Sequence, residues 1–184
     1  KMPFMLKKYS YINFTLLSIL LTSIISCKDG IIGGNHIAYF GGEIENPKSN
    51  FIVFMKNDKV IDTFYLDKDN RFLHKFDSLT PGLYSFKDES EYQYVFFDKN
   101  DSIMIRLNSN DFDNTLMFCG KGDEKNNFMM ELFLKDLELK NNMFDVYEKD
   151  EKVFSKYIDS SYQNTTKLYN KRKTFINWSE DFDE

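Results

Sequence analysis

The side chains that could do chemistry in this 184-residue chain are few and scattered. Asp67, Asp69 and Asn70 share one turn, as do Asp98, Asn100 and Asp101. Closely spaced carboxylates and amides are the raw material of a calcium loop. An EF-hand loop beginning at Asp67 would need glycine at its sixth position and an acid at its twelfth. Phe72 and Ser78 stand there, so both clusters read as plain turns, in which Asp and Asn bond their own backbone. The two histidines, His36 and His74, stand apart from each other and from any cysteine. A zinc site needs three or four clustered ligands. His74 alternates with Phe72 and Phe76 on one strand face and reads as packed. Gly120-Lys121-Gly122-Asp123 precedes a helix but does not amount to a phosphate loop. The chain carries no G-x-S-x-G, G-x-G-x-x-G or Walker pattern. No catalytic residue, cofactor or metal is assigned.

The two cysteines differ in context. Cys119 follows Phe118 in an apolar strand pattern and reads as a small buried hydrophobe, with a reactive thiol as the alternative. Cys27 closes a leader. Lys7 and Lys8 give a basic flank, Ile12 to Ile25 an almost uncharged apolar run, and Ser26 a small residue before the cysteine. This is the layout of a secretory signal. The run is short for a membrane span, which needs ~20 residues. Ile24-Ile25-Ser26-Cys27 resembles the lipoprotein motif in which the cysteine is acylated after cleavage. The expectation is therefore a signal peptide over 1–26, lipidation at Cys27 and a chain anchored in a bacterial envelope membrane. An uncleaved anchor with an incidental thiol is the other reading. With Cys27 acylated, Cys119 would have no intramolecular disulfide partner.

Net charge is −5, with acids and bases interspersed. The basic stripe that nucleic acid requires is absent from the sequence. Phe and Tyr, 19 and 11 of them, dominate the aromatics and suit a packed β-surface.

The elements that must position these residues can be read in order. Residues 27–36, with Gly30, Gly33 and Gly34, form a flexible tether. From Ile37 short apolar runs alternate with turns. A first strand covers 37–44, bulged or bent at Gly41-Gly42. Others cover 51–55, 60–66, 71–76, 83–86, 92–97 and 102–107, with the last at 115–118. Lys56-Asn57-Asp58-Lys59 suits a tight hairpin, and Thr80-Pro81-Gly82 a turn. About seven or eight evenly spaced strands without intervening helices predict an antiparallel sandwich or barrel over 37–120, and of the two an antiparallel β-sandwich is expected. Residues 121–184 read as helical. Asp123 is the expected cap, Asn141-Asn142 the break, and 143–178 a second helix with an aromatic stripe and a further break near Ser160-Ser161. The two helices form a hairpin beside the sheet or standing out from it. The acidic stretch 178–184 reads as a linker or a truncation before a further domain, with a solvated tail as the alternative.

The order of several short motifs resembles a family of Bacteroidetes lipoproteins with an N-terminal β-domain of unknown function. The residues are Gly42-Glu43-Ile44, Leu66-Asp67-Lys68-Asp69-Asn70-Arg71-Phe72, Pro81-Gly82-Leu83-Tyr84, Asp101-Ser102-Ile103-Met104-Ile105 and Gly120-Lys121-Gly122-Asp123-Glu124-Lys125-Asn126-Asn127. In that family a thioredoxin-like thiol–disulfide oxidoreductase domain often follows. This chain has no Cys-x-x-Cys. The resemblance thus implies a non-catalytic accessory region of a redox lipoprotein, partnered by the membrane through its lipid and by a downstream thioredoxin-like domain or an envelope protein. The alternative is a stand-alone lipoprotein binding module, with the aromatic sheet face or the helical stripe as its contact surface.

Overall fold

A computed structural model describes residues 37–176 and 178–183. Residues 1–26, read as a signal peptide, and 27–36, read as a tether and including Cys27 and His36, lie outside the described residues. Among those described, no helix is long and apolar enough to cross a membrane.

Eight strands precede the long helices: β1 (Ala38–Glu45), β2 (Phe51–Lys56), β3 (Lys59–Tyr65), β4 (Arg71–Phe76), β5 (Gly82–Asp88), β6 (Glu91–Phe97), β7 (Ser102–Asn108) and β8 (Met117–Lys121). A one-turn helix α1 (Phe112–Thr115) lies between β7 and β8. Then come α2 (Asp123–Tyr147), α3 (Glu151–Lys173) and a short α4 (Glu180–Asp183). The strands form two four-stranded sheets, in the orders β4-β1-β7-β8 (sheet 1) and β3-β2-β5-β6 (sheet 2).

The sandwich follows from alternation. Side chains of a strand point to opposite faces in turn, and the inward set is overwhelmingly aromatic. Phe40 of sheet 1 is fully buried. Its ring lies 5.3–6.2 Å from those of Phe54, Phe64, Phe72, Phe86 and Phe97. Four of these five belong to sheet 2, so the hub of the core is a contact between the sheets. Edge-to-face geometries dominate, and each such pair adds about 0.5–1.5 kcal/mol beyond area burial.

Turn chemistry agrees with the sequence. Asn57 and Asp58 both take positive φ, 50° and 60°, as the tight β2–β3 hairpin requires. Tyr84 donates its hydroxyl to the Thr80 carbonyl at 2.7 Å, bracing the Pro81-Gly82 turn.

The expected antiparallel sandwich with its C-terminal helices is present, with one parallel pairing, β1 with β7, among otherwise antiparallel ladders. Other expectations are corrected. Gly41 and Gly42 do not bulge; both ladders of β1 run unbroken through them. Their role is close approach. A Cβ on Gly42 would overlap the Ile105 carbonyl of β7, and one on Gly41 would lie 2.8 Å from the Phe72 carbonyl oxygen. The irregularity lies at Phe54/Met55 against β3. The last strand starts at Met117, because Thr115 closes α1 by donating to the Asp111 carbonyl at 2.6 Å. Asn141-Asn142 does not break the first helix, which continues to Tyr147. The break falls before Asp150, whose carboxylate accepts the Lys152 and Val153 amides at 2.9 and 3.1 Å and caps α3. α3 then runs through Ser160-Ser161 without interruption.

Only the root of the hairpin packs on the sandwich. Met130 joins the core, and Phe133 and Leu134 lie against it. Beyond Leu134 no described residue of α2 or α3 is fully buried. The two helices are linked by the Arg172–Glu131 ion pair at 2.7 Å and by Tyr157 donating to the Leu139 carbonyl at 3.3 Å.

Candidate functional site

The densest set of buried polar side chains sits where α2 meets the sandwich. Gly122 precedes the helix with φ +101° and gives no side-chain cap. Asp123, the expected cap, is instead the first helical residue, and with Glu124 it places negative charge on the first turn, where the helix dipole favours it. A Cβ on Gly122 would lie 2.5 Å from Asp101 Oδ2. Glycine there lets the helix start directly over the β6–β7 turn.

Three consecutive residues then reach the sandwich. Lys125, 6% exposed, donates from Nζ to Asp98 Oδ2 at 2.7 Å and Asp101 Oδ2 at 2.6 Å. Asp101 Oδ2 also accepts the Asp98 amide at 2.8 Å. Asn126 is fully buried. Its Oδ1 accepts the Phe96 amide at 2.7 Å, and its Nδ2 donates to the Phe96 carbonyl at 2.9 Å and the Gly122 carbonyl at 2.8 Å. Asn127 does the same for Phe118, accepting its amide at 3.0 Å and donating to its carbonyl at 2.8 Å. Phe96 lies in β6 and Phe118 in β8, the outer strands of the two sheets. Each asparagine side chain thus stands in for one residue of a further strand and covers an open edge.

Asp98 and Asp101 share the single Lys125 ammonium within a fixed geometry, which leaves one net negative charge on the three side chains. Chemically the cluster is a clasp: its charges pair with each other and its two asparagines with backbone, while Asn100 Oδ1 in the same turn is buried without a partner. Behind it an aromatic group closes the C-terminal end. The Trp178 ring lies 5.3 Å from Phe128, 5.6 Å from Tyr169 and 5.1 Å from Phe182. Phe182 in turn covers Phe96 at 5.0 Å. Asp183 holds this end to α3 through Lys173 and Tyr169.

A second buried carboxylate, Asp88 at the end of β5, works the same way. It is fully buried and accepts from the Lys48 amide (3.1 Å), the Ser49 amide (3.2 Å), Ser49 Oγ (3.1 Å) and Ser109 Oγ (2.6 Å). It ties the β1–β2 loop to the turn after β7.

Asp67 Oδ1 accepts the Asp69 and Arg71 amides at 2.8 and 2.9 Å. Those backbone donors hold its carboxyl below the ordinary aspartate value. Asn70 supplies the positive φ of that turn. Asp98 and Asp101 come together on Lys125, and Asn100 takes the positive φ between them. His74 stacks on Phe64 and packs edge-on to Phe76, both at 4.5 Å between centroids, with Asp62 Oδ2 3.4 Å from its Nε2. The burial expected of Cys119 is corrected. Its thiol is free and exposed, because in β8 Phe118 takes the inward position and the next residue faces out. Of the Gly120-Lys121-Gly122 run, the Gly122 carbonyl accepts from Asn126 in the clasp, and Lys121 is exposed at the end of β8. Lys125, Asn126, Asn127 and Asp88 were not singled out by sequence reasoning as chemical groups. The one available signal was the run Glu124-Lys125-Asn126-Asn127, which opens an amphipathic helix with polar residues on its buried side.

The outer faces of the sandwich differ. On sheet 1, Arg71 pairs with Glu43 and Arg106 with Glu45, each at 3.0 Å. On sheet 2 the outward positions are mostly apolar, with Tyr65, Leu83, Tyr92 and Tyr94 exposed. The far end of the hairpin also exposes Phe144 and Tyr147. Compared with family models and with curated proteins, the chain matches none.

Proposed function

We propose that this chain is the non-catalytic accessory region of an envelope lipoprotein, anchored through acylated Cys27 and serving to position a thioredoxin-like domain that follows it. The leader and the order of short motifs support the anchor and the partner. The observation that carries the positioning role is the clasp. Asn126 and Asn127 join the root of α2 to both sheets at once, so the direction in which the hairpin leaves is fixed by the sandwich. A hairpin that needs no burial beyond Leu134 is suited to act as an arm.

A second reading, a stand-alone binding module, is favoured by the exposed aromatics. Phe144 and Tyr147 at the tip are 82% and 74% exposed, which a mere spacer does not require.

Two experiments test these readings. Replacing Cys27→Ser should release the protein from the membrane fraction and block processing, since two or more acyl chains make a stable anchor at about 0.8 kcal/mol per buried CH₂. Unchanged association would remove the lipid. Sequencing the gene past the codon for Glu184 then separates the partners: a following domain with Cys-x-x-Cys supports positioning, and a stop codon leaves the binding module.

A further inference from the structure

We propose that the cleft between the outer face of sheet 1 and the β3–β4 turn is a binding site for a neutral saccharide. Its volume is about 590 Å³, within the usual range of small-molecule sites. Two rows of register partners build it. Arg71 of β4, Glu43 of β1 and Arg106 of β7 stand side by side across the sheet. Two residues along, Leu73, Gly41 and Met104 form the next row. Gly41 puts no side chain in the middle of that row. Leu73 Cδ1 and Met104 Sδ close over it instead, each 2.9 Å from where a Cβ would lie. A charged row thus runs beside an apolar one.

The polar groups keep capacity for a ligand. Arg71 donates from Nε and Nη2 to the same oxygen, Glu43 Oε2, each at 3.0 Å. Arg106 gives Nη2 to Glu45 Oε1 at 3.0 Å. Asp67, also in the cleft, takes both of its backbone amides on Oδ1. A guanidinium has five N–H donors and a carboxylate two acceptor oxygens, so unused donors and acceptors stand close together. The Arg71 and Arg106 side chains are 60% and 66% exposed. At the rim, Tyr65 offers a ring to solvent, with its register partner Phe51 edge-on at 6.2 Å bracing it.

Charge and polarity select the ligand. Arg71 and Arg106 are balanced by Glu43 and Asp67, so the lining carries no net charge and gives neither a polyanion nor a polycation an advantage. A wholly apolar ligand would strip water from these four charged side chains at a cost nothing repays. A sugar ring avoids both penalties. Its hydroxyls each donate and accept, which suits guanidinium and carboxylate groups placed together. Its C–H faces suit Leu73, Met104 and the Tyr65 ring. The cleft lies apart from the clasp and the helical arm and depends on neither.

The test screens the whole chain on an array of neutral and acidic oligosaccharides. Neutral glycans that bind are then titrated into isotope-labelled protein and followed by amide NMR. The expected result is binding to neutral glycans, insensitive to salt, with shifts centred on the amides of Glu43, Arg71 and Arg106. Tyr65→Ala should weaken it roughly tenfold, the loss of an aromatic anchor. Tyr65→Phe should retain it, because the ring and not the hydroxyl makes the contact. Tyr94→Ala, on the outer face of sheet 2, should change nothing. Both tyrosines are exposed, and unchanged circular dichroism verifies the fold. Binding to no neutral glycan, salt-sensitive binding to acidic ones alone, shifts centred on sheet 2 or the hairpin, or full affinity in Tyr65→Ala would each overturn the proposal.

Discussion

Asn126 and Asn127 are neighbours in the chain, yet they bind the edge strands of opposite sheets, Phe96 of β6 and Phe118 of β8. Each offers its amide oxygen and nitrogen to one strand residue, as a ninth strand would. Their environments differ: Asn126 is fully buried and Asn127 is exposed. Asn126→Ala leaves the Phe96 amide and carbonyl unpaired in the interior and should cost about 2–4 kcal/mol. Asn127→Ala lets water replace the lost bonds and should cost about 1 kcal/mol or less. Urea unfolding measures the difference, and amide exchange should accelerate at Phe96 in the first variant and at Phe118 in the second.

Among the described residues, Lys125 is the one cation paired with Asp98 and Asp101 in the clasp. Removing one partner of a buried pair leaves an uncompensated charge. Lys125→Met should therefore destabilise by about 3–5 kcal/mol. Adding Asp101→Asn should restore part of that loss, because the charge left behind is then smaller. Thermal or urea unfolding of the single and double variants checks the sign of the second step.

Gly42 marks where β1 approaches β7. Any Cβ there meets the Ile105 carbonyl, a backbone group that cannot rotate away. Gly42→Ala should push apart the single parallel ladder and cost about 1–3 kcal/mol by overpacking. Gly82→Ala meets only the end of Lys56 at 3.6 Å, but at φ +139°; its cost would be backbone strain alone. Denaturation midpoints of the two variants separate crowding from strain.

The α2–α3 contact should weaken in acid. Burial pushes the Glu131 carboxyl up, but Arg172 and Lys135 outweigh it, and the group sits below its ordinary 4.5. A depressed carboxylate contributes stability that is present above the ordinary value and is lost as pH falls through its folded value. Asp113 runs the other way. Burial first, then Glu91 and Asp111, raise it, so its contribution improves as pH falls. Global unfolding mixes the two. Amide exchange within α3 isolates the first: it should rise below about pH 4.5 in the parent and lose that pH dependence in Arg172→Met.

The strands were legible because their signals are local. Alternating apolar residues and Asn, Asp, Gly and Pro turns suffice to locate eight strands, and Phe72, Phe76, Ile103 and Ile105 face inward as alternation requires. The pairing of β1 with β7 was not, since it joins residues some sixty positions apart and depends on how the sheets meet. The hairpin break was misplaced for a simple energetic reason. Asn within a helix costs only a few tenths of a kcal/mol relative to other polar residues, whereas Asp150 capping α3 contributes about 1 kcal/mol. Lys125 and Asn126 look like members of a solvated face, because the groups they satisfy lie 24–30 residues earlier. Cys119 misled because its neighbours are apolar while β8 turns it outward.

A positioning role requires an arm whose direction the sandwich dictates. Spin labels on non-canonical residues at positions 69, in the β3–β4 turn, and 149, at the hairpin tip, would give their distance distribution directly by double electron–electron resonance. A single narrow distribution, broadened in Asn126→Ala/Asn127→Ala, is the predicted result. A broad distribution in the unaltered chain, indifferent to those substitutions, would contradict it.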